Sequence, residues 1–284
     1  MQAWHRRFLS QHQLNRDYLS VATKLARCAL AKIETLPRFP IIGINGPQGS
    51  GKSTLADFLC QFLENERTMS VGVVSIDDYY LSKSQRLILS ETEHPLFKTR
   101  GVPGTHEVRR GIQDFTAFKQ GKPIALPRFD KSSDDRVEGL PFNTFDVLIF
   151  EGWCVGIKPE TESRLAENTN AFETTFDADG TFRRCINNHL SCEYQEWFQF
   201  IDYLLFFKIE SFDSILEWRL QQESQLFDMK GKGMSAQQIS QFIQFFERLT
   251  RWGQRSLEDN ANLQVNVDKR HKMTLAFKAH RDRL

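Results

Sequence analysis

Long hydrophobic runs are missing from these 284 residues. None approaches the ~18 consecutive apolar residues that suggest a membrane span, so no membrane association is expected. Cysteine is sparse: Cys28, Cys60, Cys154, Cys185 and Cys192 are scattered, with no Cys-x-x-Cys pair and no His/Cys ligand cluster. Neither a disulfide framework nor a structural zinc site is therefore indicated. Charge of one sign is also lacking, because 37 Lys and Arg face 36 Asp and Glu for a net charge of +1. That balance excludes a general nucleic-acid binder and an acidic disordered chain. The first ten residues include Trp4, His5, Arg6 and Arg7 without the apolar run of a signal peptide. A reducing, cytoplasmic setting is the expectation. Internal repeats and low-complexity tracts are absent too. Phenylalanine, at 24 copies, is abundant and points to an aromatic core.

Apolar periodicity outlines the organisation. Residues 1–36 read as a helical extension, ended by Pro37 and Pro40, and residues 37–284 as the main domain. Ile41-Ile42-Gly43-Ile44 reads as a buried strand. A glycine-rich turn follows, then a helix with Leu55, Phe58, Leu59, Phe62 and Leu63 on one face. Further strands are expected at 71–76, 145–150, 203–209 and 263–267. Gly and Pro punctuate 81–143, read as loops with one helix near 107–119. Residues 158–200 begin polar and acidic and become helical near 183–199. Phe212 to Phe227 and Ala236 to Arg251 read as helices separated by the glycine-rich turn Gly231-Lys232-Gly233. Short apolar strands alternating with amphipathic helices imply an α/β fold with a parallel sheet of about five strands, covered on both faces.

The strongest local signal is Gly46-Pro47-Gln48-Gly49-Ser50-Gly51-Lys52-Ser53-Thr54, which fits G-x-x-x-x-G-K-[ST] at every specified position. Glycines let successive backbone N–H groups wrap a phosphate, and the following helix presents its positive N-terminal end. Lys52 supplies charge to the outer phosphates and Ser53 a hydroxyl for Mg²⁺. The loop sits between a strand and an amphipathic helix, the context the motif requires. It implies a nucleoside triphosphate, and the absence of an Asn-Lys-x-Asp motif favours ATP over GTP.

Two other strands end in acids: 71–76 runs into Asp77-Asp78-Tyr79-Tyr80, and 145–150 into Glu151-Gly152-Trp153. Ligands of open parallel sheets sit beyond the strands' carboxyl ends. Phosphoryl transfer needs a group to accept the hydroxyl proton and carboxylates to hold magnesium. Asp77 is read as the base, Glu151 as a magnesium carboxylate, and Asp78 either as a second one or as a helix cap.

Together these three segments resemble the phosphoribulokinase, uridine kinase and pantothenate kinase group of P-loop kinases. Arg100–His106, Pro127–Ser132, Asp135-Arg136, Glu217-Trp218-Arg219 and Gly233-Met234-Ser235 place the resemblance in the D-glycerate 3-kinase branch, from about residue 40 to the C-terminus. The resemblance implies a mononucleotide kinase fold and ATP-dependent phosphorylation of a small hydroxylated metabolite, D-glycerate or a similar hydroxy acid. It implies Asp77 as base, Lys52 and Ser53 on phosphates and Mg²⁺, and a helical lid after the fourth strand, at about 211–236, with Arg219 as a lid cation beside Lys230 and Lys232. One departure is that Ser132–Arg136 lacks the glycine expected ahead of Asp-Arg.

Arg100, His106, Arg128, Lys131 and Arg136 lie between the two acidic strand ends and are read as acceptor-binding, His106 alternatively as a residue satisfying a loop backbone group. Arginine reads a carboxylate with two parallel hydrogen bonds. Residues 98–136 hold nine Lys and Arg against five Asp and Glu, whereas 151–180 hold two against seven. Phe242, Phe245 and Phe246 read as core. A nucleoside or pantothenate-like acceptor, or a nucleotide-dependent switch without an acceptor, are the competing readings.

Overall fold

The computed structural model describes residues 2–230 and 233–276, with residues 225–230 described as backbone only. Lys232 and the side chain of Lys230 therefore lie outside the described residues.

The helical extension consists of two helices, α1 (Ala3–Gln11) and α2 (Arg16–Ile33). Asn15 caps α2 by accepting from the Asp17 and Tyr18 N–H groups. Then come β1 (Ile41–Asn45), α3 (Lys52–Arg67) and β2 (Val71–Ser75). A 3-10 turn at Ile76–Tyr79 leads to α4 (Lys83–Thr92), a second 3-10 turn at Pro95–Lys98, and α5 (Val108–Lys119). The hairpin β3 (Arg128–Asp130) and β4 (Asp135–Val137) precedes β5 (Val147–Gly152). Four short helices follow: α6 (Glu162–Leu165), α7 (Ala171–Phe176), α8 (Thr181–Ser191) and α9 (Glu193–Phe198). The described residues close with β6 (Tyr203–Ile209), α10 (Asp213–Lys230), α11 (Ala236–Asn260), β7 (Leu263–Val267) and β8 (Met273–Ala276).

The main sheet has six strands in the order β2-β5-β1-β6-β7-β8. All pairs are parallel except β7 with β8. The expected five strands are all there; β8 is the addition, four residues long and too short for a periodic signal. The 81–143 region also holds more structure than expected, namely α4 and the β3–β4 hairpin. β5 is buried along its whole length, as suits a strand covered on both faces.

One apolar layer packs α1, α2 and α3 on the sheet, with Trp4 and Phe8 against Phe58 at ring distances of 5.5 and 5.1 Å. The extension therefore docks on the core. The opposite layer holds α5, α8, α9 and much of α11, centred on Trp197 against Phe150 and Tyr79. The phenylalanine excess is spent on these two layers. No described helix is long and apolar enough to cross a membrane.

Register positions the site. Ser75 and Ile44 both pair with Glu151, and Asn45 with Gly152. Glu151 thus stands between the exit of β1 into the glycine loop and the exit of β2 into Asp77. Asn45 fixes this geometry by donating to the Trp153 and Val155 carbonyls.

Candidate active site

The glycine loop turns between β1 and α3. Gly51 adopts φ +90° and caps α3, a conformation that L side chains rarely adopt. A Cβ at Gly46 would stand 2.7 Å from Ser50 Oγ and 3.0 Å from Phe207 Cβ, so the loop lies flat against β6. Gln48, Gly49, Gly51, Lys52, Ser53 and Thr54 line a cleft of about 580 Å³. Gly46, Pro47 and Ser50 form the loop's base, Ser50 fully covered. His271, in the turn before β8, donates from Nε2 to the Gly49 carbonyl at 2.8 Å and stacks on Trp218. The last two strands thereby support the loop from outside.

Behind the loop, Ser53 Oγ donates to Glu151 Oε1 at 2.9 Å, and Lys52 Nζ lies 3.8 Å from Oε2. Glu151 is buried, and its Oε2 has no hydrogen-bond partner. A hydroxyl and a carboxylate oxygen beside a phosphate loop suit a hard cation that takes its remaining ligands from phosphate and water. No cluster of three or more His, Cys, Asp or Glu among the described residues makes a self-sufficient metal site.

Asp77 also lines the cleft. Its Oδ1 accepts from Tyr80 Oη at 2.7 Å and its Oδ2 from Lys131 Nζ at 2.6 Å. Burial would raise its pKa, but Lys131, Lys52 and the Tyr80 hydroxyl outweigh that and hold it below the usual carboxylate value. Asp77 is therefore ionised at neutral pH.

Its neighbour behaves differently. Asp78 Oδ2 accepts from Ser75 N and from Arg128 Nη1, and Oδ1 from Phe129 N. Burial raises its pKa against those donors. Asp78 closes the capping box of the 3-10 turn and does not line the cleft. Of its two expected roles the structure shows the cap, since Ser75, Arg128 and Phe129 all hold it in the turn and magnesium would find both oxygens engaged.

The acceptor-binding set divides in the same way. Arg100 and Lys131 line the cleft; His106, Arg128 and Arg136 do not. Arg128 is held by Asp78, and Arg136 by Glu107 and the Tyr80 carbonyl. His106 is buried behind Tyr80, stacked on it at 4.6 Å, with Nδ1 2.6 Å from Tyr194 Oη. These three fix the floor beneath Asp77 and Tyr80. Arg219 lines the cleft from α10, bonded to Gln222 and Glu223 and lying over the Phe242 ring.

Lys98, Trp153, Gln222, Phe242 and Phe246 line the cleft and were not read as site residues. Lys98 opens the basic stretch, and that position was its signal. Phe242 and Phe246 do pack in the core as expected, but the stripe's outer edge also forms cleft wall.

Burial pushes the His106 pKa down from 6.5 to about 4. The folded protein keeps His106 neutral while the unfolded chain takes up a proton below about 6.5. Stability from this residue is therefore full above that pH and falls as pH drops toward about 4. Melting temperatures of wild type and His106→Asn, compared at pH 7.5, 5.5 and 4.5, are expected to converge as pH falls. A constant gap would contradict the assignment.

No family model matches the chain. Curated relatives do. Over 219 residues it is 34% identical to the uncharacterized kinase mug58 of Schizosaccharomyces pombe, covering 72% of this chain and 78% of that protein. Over 217 residues it is 27% identical to the chloroplastic D-glycerate 3-kinase of Arabidopsis thaliana, covering 72% of this chain but 45% of that protein. The solved structure of D-glycerate 3-kinase from Cryptococcus neoformans var. grubii shares the fold, with a TM-score of 0.77 at 23% identity over 90% of this chain and 99% of that one. A glycine loop, a lysine and two acidic strand ends in this order, on a sheet of this topology and with relatives of this extent, make the chain a member of the P-loop kinases, phosphotransferases acting on hydroxyl acceptors, in the D-glycerate 3-kinase-like branch of that group.

Proposed function

We propose that the protein transfers the γ-phosphate of ATP to a hydroxyl of a small hydroxy acid, with D-glycerate the first candidate. The observation that carries this reading is one cleft lined by Lys52, Asp77, Arg100 and Lys131. A phosphate-binding lysine, an ionised carboxylate and acceptor-side cations face the same space.

The chemistry follows from these groups. The loop N–H groups and Lys52 hold the triphosphate and neutralise charge that builds on the γ-phosphate. Ser53 and Glu151 would hold magnesium, which when bound screens the phosphate oxygens. Asp77 orients the acceptor hydroxyl and accepts its proton as the O–P bond forms. Lys131 rests on Asp77 with a largely exposed side chain, so it can turn from that carboxylate toward a substrate anion. Arg100 and Lys98 line the wall where an acid group would be read. Arg219 and Phe242, on the α10–α11 hairpin, act as a lid that excludes water and suppresses hydrolysis of ATP.

ADP release measured across hydroxy acids, nucleosides and pantothenate tests this reading. Turnover with one or more hydroxy acids and none with nucleosides is expected. Turnover confined to nucleosides would overturn the acceptor class. Nucleotide-dependent capture of a partner without any phosphorylation would replace the reading with a switch.

A further inference from the structure

The β3–β4 hairpin places Asp134 in the cleft wall with left-handed backbone, φ 56°. Its carboxylate is gripped from two sides. Oδ2 accepts from Arg86 Nη2 at 2.6 Å, and Oδ1 accepts from Arg100 Nη1. Arg86 is 1% exposed and has no other carboxylate partner among the described residues. Arg100 is different, because its side chain faces the cleft and stays 29% exposed. Both guanidinium groups lie over the Phe129 ring, whose edge meets Tyr80, the residue bonded to Asp77. A continuous path of contacts therefore links the Asp134–Arg100 pair to the proposed base.

We propose that Asp134 is a specificity-determining residue: an internal carboxylate that competes with the acceptor's carboxylate for Arg100. This rests on the hydroxy-acid reading above. A guanidinium presents a limited fork of donors, and a carboxylate already seated on it occupies the place an acid group would take. Because the pair is solvent-accessible on the cleft side, an acceptor can displace Asp134 from Arg100 while Arg86 retains the other oxygen. Each bound acid therefore exchanges one carboxylate for another. Affinity for anionic acceptors is held down, and neutral polyols are unaffected.

Asp134→Asn separates this role from a supporting one. Asparagine tolerates left-handed backbone, and its carbonyl oxygen still accepts from Arg86. Initial rates with D-glycerate and with glycerol are compared for wild type and variant, alongside melting temperature and ATP affinity. The KM for D-glycerate is expected to fall about tenfold with kcat within about twofold, while glycerol kinetics stay put. A KM for D-glycerate that rises or does not move, in a variant that melts normally and binds ATP, would show that Asp134 merely orients Arg100 and would overturn the proposal. Asp134→Gly combined with Arg86→Met suits the same backbone, leaves no buried charge unpaired and provides the second variant. If wild type turns over no hydroxy acid, the acceptor reading fails by itself. Gain of hydroxy-acid turnover in Asp134→Asn would then still support competition, and no gain would end it.

Discussion

Asp77→Asn is expected to lower kcat by roughly 10²–10⁴-fold, the range that a positioned general base contributes, while ATP affinity changes little. The substitution keeps an acceptor for Tyr80 Oη and roughly the same volume, so the cleft floor is preserved. What disappears is the charge that can take a proton from the acceptor hydroxyl. Nucleotide binding rests on the loop, so a fluorescent ATP analogue titrated into the variant checks that half of the claim. Lys52→Ala provides the contrast: it removes charge from the phosphates and is expected to cost ~10²-fold or more in rate and to weaken ATP as well. Full activity in Asp77→Asn would remove Asp77 from the mechanism. Equal loss of ATP binding in both variants would mean that Asp77 supports the loop rather than the acceptor.

Arg248→Leu is expected to destabilise the fold by about 3–5 kcal/mol, the cost of leaving buried charges unpaired. Arg248 Nε and Nη2 donate to the two oxygens of Glu173 at 2.6 and 2.7 Å, and Nη1 lies 3.6 Å from Glu160 Oε2. Burial opposes the guanidinium charge, but the carboxylates outweigh it and raise the Arg248 pKa. Glu160 and Glu173 are themselves buried. The acidic stretch 158–180, unexplained from composition, is largely this: its carboxylates brace α11 through Arg248 and seat Arg183 on Asp177 at 3.0 Å. A loss of this size corresponds to a fall of roughly 10 °C in melting temperature. Scanning calorimetry checks it, with Arg248→Lys expected to fall between the two because an ammonium cannot reproduce the paired geometry. A shift under about 1 °C would mean that the network is neutral to stability.

Legibility differed residue by residue. The loop at 46–54 and the acid at 151 stood out because their signals are local: an apolar run, then the chemistry at its end. Asp77 and Asp78 illustrate the limit. They are adjacent in a 3-10 turn, where neighbours point about a third of a turn apart, so one faces the cleft and the other turns to Ser75 and Arg128. No pattern in the residues says which. Of the five residues singled out at 100–136, three are held away from the cleft by distant partners: Arg128 by Asp78, Arg136 by Glu107, and His106 by Tyr194. The same long-range pairing hid the role of Asp134, whose two arginines lie 48 and 34 positions upstream.

By itself the sequence determined the parallel α/β framework, the phosphate loop with its lysine and serine, and the strand ends that carry Asp77 and Glu151. These follow from backbone periodicity and from side chains within a few positions of one another. The tertiary structure alone decided which charges face the cleft, that α1 and α2 belong to the core, and that Phe242 and Phe246 double as wall. Burial and ion pairing are made between segments tens of residues apart, and a charge's availability for substrate depends on whether such a partner has already taken it.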